Sequence, residues 1–360
     1  MTIIDRYILR QFIATLGFAV LALVVIFIVI DLLESLDEFL DQQAPIDVIL
    51  RYYVYFVPNT LRLMLPVSML LAALFSVGRL SNTNEITAMR SGGQSLLRLM
   101  LPILAVALCI SAAQLYFNGW VVPVANAKKF AIERTYLGKS QTGVALYRLF
   151  FRDVPTRNVA IESYDAEARI GRNVTIEVFA DTGRPRIVER FDAPRMEWDT
   201  VALAWRLPSA IHRRFNGDTV TYERMADIIA PFTIRHDQLV RLQRNAAEMT
   251  FDEVRDLIQT LRKGGKNTRT QEIGYLSEWS LPFANFIVVL IAVPFASVRR
   301  RGGMAAQIAA GMGISFVYIA FTLVGQAWGA ASSLPTAAVA WSANVVFFVI
   351  GIVNLVRTKS

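Results

Sequence analysis

Charge is missing from this chain in long blocks, and no other feature limits its fold as tightly. Residues 11–30 contain no Asp, Glu, Lys, Arg or His, nor do residues 99–127, 279–298 or 302–356. Twenty helical residues at ~1.5 Å each cover about 30 Å, the thickness of a bilayer's hydrocarbon core. Each tract therefore predicts a transmembrane helix. The 55 residues of the last tract are too many for one span and predict two, turning near Gly329 to Pro335. A further span over about residues 52–77 is broken by Pro58 and Pro66 and contains Arg62. Only 18% of residues are charged, where a soluble domain has about a quarter. The first tract is too long for the apolar region of a cleaved signal and lacks a small-residue cleavage motif, so it reads as a retained helix.

The middle of the chain has a different period. From roughly residue 135 to 232 short alternating segments recur, for example at 158–164, 174–179 and 201–207. Turn signals separate them: Gly171-Arg172-Asn173, Asp181-Thr182-Gly183 and Asn216-Gly217. This predicts an antiparallel β domain, a sandwich or open jellyroll. A short amphipathic helix follows, opened by a Thr250/Glu253 capping box and closed by Gly264-Gly265. The fold class is thus an α-helical integral membrane protein with six transmembrane helices, three on each side of an inserted antiparallel β-jellyroll-like domain. Its expected divisions are 1–127 with a short loop at 79–98, 128–270, and 271–360.

Lys and Arg set the orientation. Arg6 and Arg10, Arg79, Arg90 and Arg98, Arg299 to Arg301, and Arg357 with Lys359 all fall on one side. That side is cytoplasmic. Both termini then lie inside, and the β domain lies outside with an acidic segment that holds Asp31, Glu34, Asp37, Glu38, Asp41 and Asp47. The net charge of +8 comes largely from these span-end residues. They form no stripe with interleaved aromatics, which argues against nucleic-acid binding. Two histidines and one cysteine also argue against a zinc site. Tyr52, Tyr53, Trp120 and Trp328 read as interface anchors.

Two places could carry function. In the 79–98 loop, Asn82, Thr83 or Asn84 can cap a short helix, Glu85 sits in its first turn, and Gly92-Gly93 can end it. Ile86, Met89 and Arg90 share a face. Such a helix can dock into a partner's groove, or lie in the interface with Glu85 complementing its dipole. The other place is Arg62. A charge within an apolar span is expensive and commonly faces a cavity or a partner, and arginine suits bidentate phosphate binding. Alternatively Arg62 snorkels to the outer interface or pairs with Glu278. Lys128, Lys129 and Arg134, just past the third span, either ring the outer mouth of a cavity or form a headgroup-facing cluster.

Three tracts carry a family resemblance: DRYILRQFIATL from Asp5, LPVSMLLAALFSVGRLSNTNEITAMRSGG from Leu65, and LPFANFIVVLIAVPFASVRRRGG from Leu281. They resemble the lipopolysaccharide-export permeases, LptF and LptG, and the run from Ile314 to Phe348 leans toward the LptG half. The resemblance spans nearly the whole chain, the β domain matching in type more than in sequence. It implies a non-enzymatic permease subunit of an ABC-type exporter that extracts lipopolysaccharide from the inner membrane. It also implies a second permease of the same family, a cytoplasmic ATPase dimer that holds the ATP and magnesium, and a periplasmic bridge of jellyroll proteins. This chain would need no cofactor of its own, and it has no G-x-x-x-x-G-K-[ST] sequence. The family's coupling glutamate falls on Glu85. A lysine that one member uses near substrate phosphate aligns with Asp31, so the phosphate contact here falls on another residue or uses different chemistry. Two other classes lack support in the residues. A lipid-modifying membrane enzyme would need a convergent catalytic set. A sensor with a ligand-binding β domain would need a cytoplasmic output domain.

Overall fold

The structure is a computed structural model that describes residues 2–137, 145–166, 168–180, 186–217, 219–242, 244–297 and 303–359. Arg299 to Arg301 and the Asp181-Thr182-Gly183 turn lie outside the described residues. In chain order the elements are α1 (Ile3–Asp41), α2 (Ile46–Asn82), α3 (Glu85–Ser91), α4 (Leu96–Tyr116), a π-helical turn (Phe117–Val121) and α5 (Val122–Tyr136). Then follow β1 (Ala145–Val154), β2 (Arg157–Asp165), β3 (Ile170–Phe179), β4 (Ile187–Asp199), β5 (Ala204–Asn216) and β6 (Thr219–Ile229). The chain closes with α6 (His236–Arg241), α7 (Phe251–Lys263), α8 (Arg269–Ser280), α9 (Phe283–Ser297), α10 (Gly303–Ala331) and α11 (Thr336–Lys359). Two compact units result, Met1–Ile132 with Arg269–Ser360, and Glu133–Thr268.

The first unit is a helical bundle. Among the described residues four helical runs are long and apolar enough to cross a bilayer: α1, α2, the α4–α5 run and α11. α8 and α9 meet at a 52° bend and together make a fifth. Phe12 of α1, Met69 and Leu74 of α2, Met100 and Ile103 of α4, and Val289 and Val293 of α9 are buried together as the main core. A smaller cluster joins Ile287 and Ile291 of α9 to Tyr318 of α10 and Phe347 of α11. Phe18 and Leu21 of α1 and Phe316 and Val324 of α10 stand exposed, as suits surfaces that meet lipid or another apolar helix. The first span does not stop at Ile30. α1 continues through the acidic segment to Asp41, because Asp and Glu do not break a helix that is already propagating. Tyr52 is no interface anchor: it is 1% exposed and packs edge-on against Phe39 at 5.3 Å.

The second unit is one six-stranded antiparallel sheet whose strands lie in sequence order. Tyr164 of β2 and Trp205 of β5 have ring centroids 5.7 Å apart. Strands three places apart in a flat sheet are separated by roughly 14 Å at ~4.8 Å per strand, so this sheet curls until those faces meet. A line of shared irregularities marks the bend. Successive buried residues step by three rather than two: Ile161 to Tyr164, Gly171 to Val174, Ala193 to Met196, and Leu207 to Ala210. Pro194 and Pro208 sit on this line, where a missing N–H tolerates a break in the ladder, and Asn173 adopts φ 50.

The segment after β6 fills the concavity. Trp205 Nε1 donates to the Ile234 carbonyl at 2.6 Å, Phe232 packs on Phe151, and Thr233 donates through its N–H and Oγ1 to buried Asp153. Gly171-Arg172-Asn173 is not a turn but part of β3, paired with β2. Gly171 stands there because a Cβ would lie 2.7 Å from the Met196 side chain. The 201–207 segment likewise begins in a turn, with Val201 93% exposed and the strand starting at Ala204. The Asn216-Gly217 hairpin and the Thr250/Glu253 capping box form as the sequence predicts.

Candidate functional site: an ion pair beside an apolar cavity, and a short helix at the other end of α2

Arg62 lies in the first half of α2, four residues before Pro66. Proline has no N–H and cannot bond the carbonyl four residues earlier, so Pro66 leaves the Arg62 carbonyl free. Gln114 of α4 takes it, donating through Nε2 at 3.0 Å. Asn285 of α9 in turn donates to Gln114 Oε1 at 2.5 Å. The proline thus seeds a chain of polar side chains inside an apolar bundle, where each otherwise unsatisfied group would be costly. The Arg62 guanidinium meets Glu278 of α8, Nη2 to Oε1, at 2.5 Å. The two side chains are 17% and 34% exposed. Their remaining buried atoms, Arg62 Nε and Glu278 Oε2, have no partner among the described residues, nor has either end of the Asn118 amide in the π-helical turn.

A cavity of about 360 Å³ opens beside this pair, walled by Arg62, Pro66, Leu281, Val288, Tyr318 and Leu323. It is almost wholly apolar, with the guanidinium as its one charged group. Ligand pockets of this kind use an apolar body and a few placed polar groups. This arrangement suits an amphiphile, with its tail in the cavity and an anionic group at the arginine.

The three other cations each have a contact within their own unit. Lys128 is exposed and lies 5.2 Å over the Tyr55 ring. Lys129 is buried at 9%, 4.7 Å from the Phe130 centroid and 5.6 Å from that of Phe56. Arg134 belongs to the other compact unit, where it pairs with Glu248, itself 4% exposed. Aromatic faces hold the two lysines, and a buried carboxylate holds the arginine. Asp31 faces the Tyr53 hydroxyl.

At the far end of α2, 20 residues or roughly 30 Å of helix from Arg62, α3 begins with Glu85. Thr83 Oγ1 donates to Glu85 Oε1 at 2.8 Å, and the Tyr7 hydroxyl of α1 lies beside that carboxylate. Asn84, with φ 58, turns the chain into the helix, and Gly93, with φ 87, carries it out. Ile86 and Met89 do not stand outward. Ile86 is 6% exposed, and both pack onto the main core, because the nearest apolar surface for a short amphipathic helix is its own bundle. The outward face is Thr87, Ala88 and Arg90, with Glu85 half-buried. Uncharged Gln114 and Asn285 drew no attention in the sequence. Two signals could have found them: Pro66 four residues after Arg62, and amides inside apolar tracts.

A bundle of membrane-crossing helices with an amphiphile-sized apolar cavity at an ion pair, and with an inserted β unit, fits a multi-pass membrane permease. Residues 6–357 match the family described as lipopolysaccharide export system permease LptF/LptG. The chain belongs to that family. It is similar to the lipopolysaccharide export system permease protein LptG of Escherichia coli K12, 20% identical over 329 residues, covering 88% of this chain and 87% of that protein. LptG of E. coli O6:H1 strain CFT073 matches to the same extent. The chain is therefore a transport permease of the lipopolysaccharide export system, a multi-pass inner-membrane protein and not a catalytic enzyme.

Proposed function

We propose that this permease is one half of an ABC-type exporter, and that its two ends divide the work of binding lipid and receiving force. In this reading six helices cross the inner membrane, within 1–127 and 271–360, both termini are cytoplasmic, and the jellyroll-like 128–270 unit is periplasmic. A second permease of the family completes the lipid cavity. A dimeric ATPase holds ATP and magnesium, and periplasmic jellyroll proteins receive the lipid. The observation that carries the substrate assignment is Arg62, paired with Glu278, on the wall of the 360 Å³ apolar cavity.

Lipopolysaccharide offers several acyl chains and phosphate groups. An acyl chain fits the cavity, and a phosphate can replace the Glu278 carboxylate on the guanidinium and engage it bidentately, through the Nε that the carboxylate leaves unused. Glu278 is then the resting counter-ion, which lowers the cost of a charge within the span when no lipid is bound. Lys128, exposed near the same end of the bundle, adds positive field, while Lys129 and Arg134 contribute only if they leave their present partners. At the other end Glu85, with Arg90 on the outward face and Ile86 and Met89 as anchors beneath, presents α3 to the ATPase.

Purification in mild detergent, with every co-eluting protein and lipid identified, tests this reading. Glu85→Ala and Glu85→Lys should insert normally, retain less ATPase and export less lipid. A charge-assisted contact is worth about 1.5–3 kcal/mol, hence on the order of 10- to 150-fold in affinity. Undiminished ATPase recovery and export in both variants would remove α3 from the interface.

A further inference from the structure

Residues in the first two turns of α1 reach α3 and the start of α4, which follows it. Asp5 pairs with Arg98, Oδ1 to Nη1 and Oδ2 to Nη2, both at 3.0 Å. Arg98 lies in the first turn of α4, its N–H donating to the Ser95 cap, just past the Gly92-Gly93 exit of α3. Tyr7 reaches Glu85 at the other end of α3. Ile8 shares the buried cluster with Ile86 beneath it. The Asp5 carboxylate is 9% exposed. Its Oδ2 also accepts the Thr2 N–H at 2.8 Å in the capping box that starts α1.

The two long helices near α3 differ mechanically. α2, which leads directly into α3, contains Pro58 and Pro66, each a place where a helix bends. α1 runs for 39 residues with no proline, so it moves as a rod. α2 therefore has two places at which it can bend under a push on α3, and α1 has no such joint.

We propose that Asp5, Tyr7 and Arg98 are positioning residues that couple α3 to α1, so that force from the ATPase reaches the membrane through α1. The proposal rests on the reading of α3 as the ATPase-docking helix. Their task is transmission, not docking, and the two fail differently. The test uses the full chain with its second permease and ATPase, reconstituted in vesicles with lipopolysaccharide. ATPase retention, ATP hydrolysis and lipid released per ATP are measured for Asp5→Asn, Arg98→Gln, Tyr7→Phe and the exchange Asp5→Arg with Arg98→Asp. The single charge variants should keep the ATPase bound and hydrolysing within about twofold, yet release at least fivefold less lipid per ATP. The exchange should return that ratio to within twofold of the parent, whereas a merely structural loss would lower ATPase retention and hydrolysis along with it. Tyr7→Phe, which cannot unfold the helix, should show a milder fall in the same ratio. An unchanged ratio in all three single variants, or a lowered ratio that the exchange fails to restore, overturns the proposal. If Glu85→Lys retains the ATPase fully, the docking reading itself has failed, whatever the clamp variants show.

Discussion

Arg62 and Glu278 make a pair that is costly to break from one side. Removing one member of a buried pair leaves an uncompensated charge, at about 3–5 kcal/mol when burial is complete. The cost is smaller here, because both side chains keep some exposure. Glu278→Leu alone should lower the amount of folded protein, and adding Arg62→Leu should restore it. Arg62→Leu should cut lipid crosslinking and export while sparing ATPase recovery. Arg62→Lys should recover only part, because a point charge loses the bidentate geometry. Undiminished crosslinking in a stable Arg62→Leu protein would end the direct role. His236 gives a second residue-scale test. Its Nδ1 lies 2.5 Å from the Tyr164 hydroxyl, and burial first, then Arg169, hold its pKa below the usual 6.5. The folded state thus favours the neutral ring. Its contribution is present above the ordinary histidine value and is lost as pH falls through the lowered one. Thermal unfolding of the full chain should show a steeper acid-side loss in the parent than in His236→Gln.

Among the elements, the exit of α7 shows how closely the β unit is packed. A Cβ on Gly264 would stand 2.0 Å from the Arg152 carbonyl oxygen of β1, and backbone cannot yield as a flexible side chain can. Gly264→Ala should therefore lower the unfolding midpoint of this unit, by about 1–3 kcal/mol of overpacking. Circular dichroism melts would detect it, and an unchanged midpoint would mean that the helix exit shifts freely. The apolar spans, the α7 capping box and the Asn216-Gly217 hairpin were legible because each signal is local and dense. The length of α1 was not, since carboxylates mark neither a helix nor its end. Gly171 read as a turn because sequence does not separate a glycine that needs positive φ from one that needs room for Met196. Arg62 to Glu278 was legible as one of two options, both being charges in apolar surroundings. Arg134 to Glu248 was not, because 114 residues separate them and either could have faced water.

For the molecule as a whole, orientation follows from the charged span ends. A cysteine at Asn216, in a Cys109→Ser background, should react with an impermeant maleimide added from the periplasmic side, and one at Asn84 should not. The reverse pattern would invert the topology. Family membership accounts for the alternation of helices, β unit and helices from end to end, but at 20% identity it transfers architecture more securely than contacts. Here the Arg62–Glu278 pair and the aromatic shielding of Lys129 come from this chain's own geometry.

The sheet's strand order has a consequence for biogenesis. Every strand pairs only with its neighbours in sequence, so no pairing waits for a distant part of the chain. Low contact order makes for fast folding, and domains commonly fold as synthesis delivers them. A β unit placed between α5 and α8 can therefore close hairpin by hairpin as it is synthesised. Each new strand pairs with the one before it, so the sheet can be complete while α9, α10 and α11 are still leaving the ribosome.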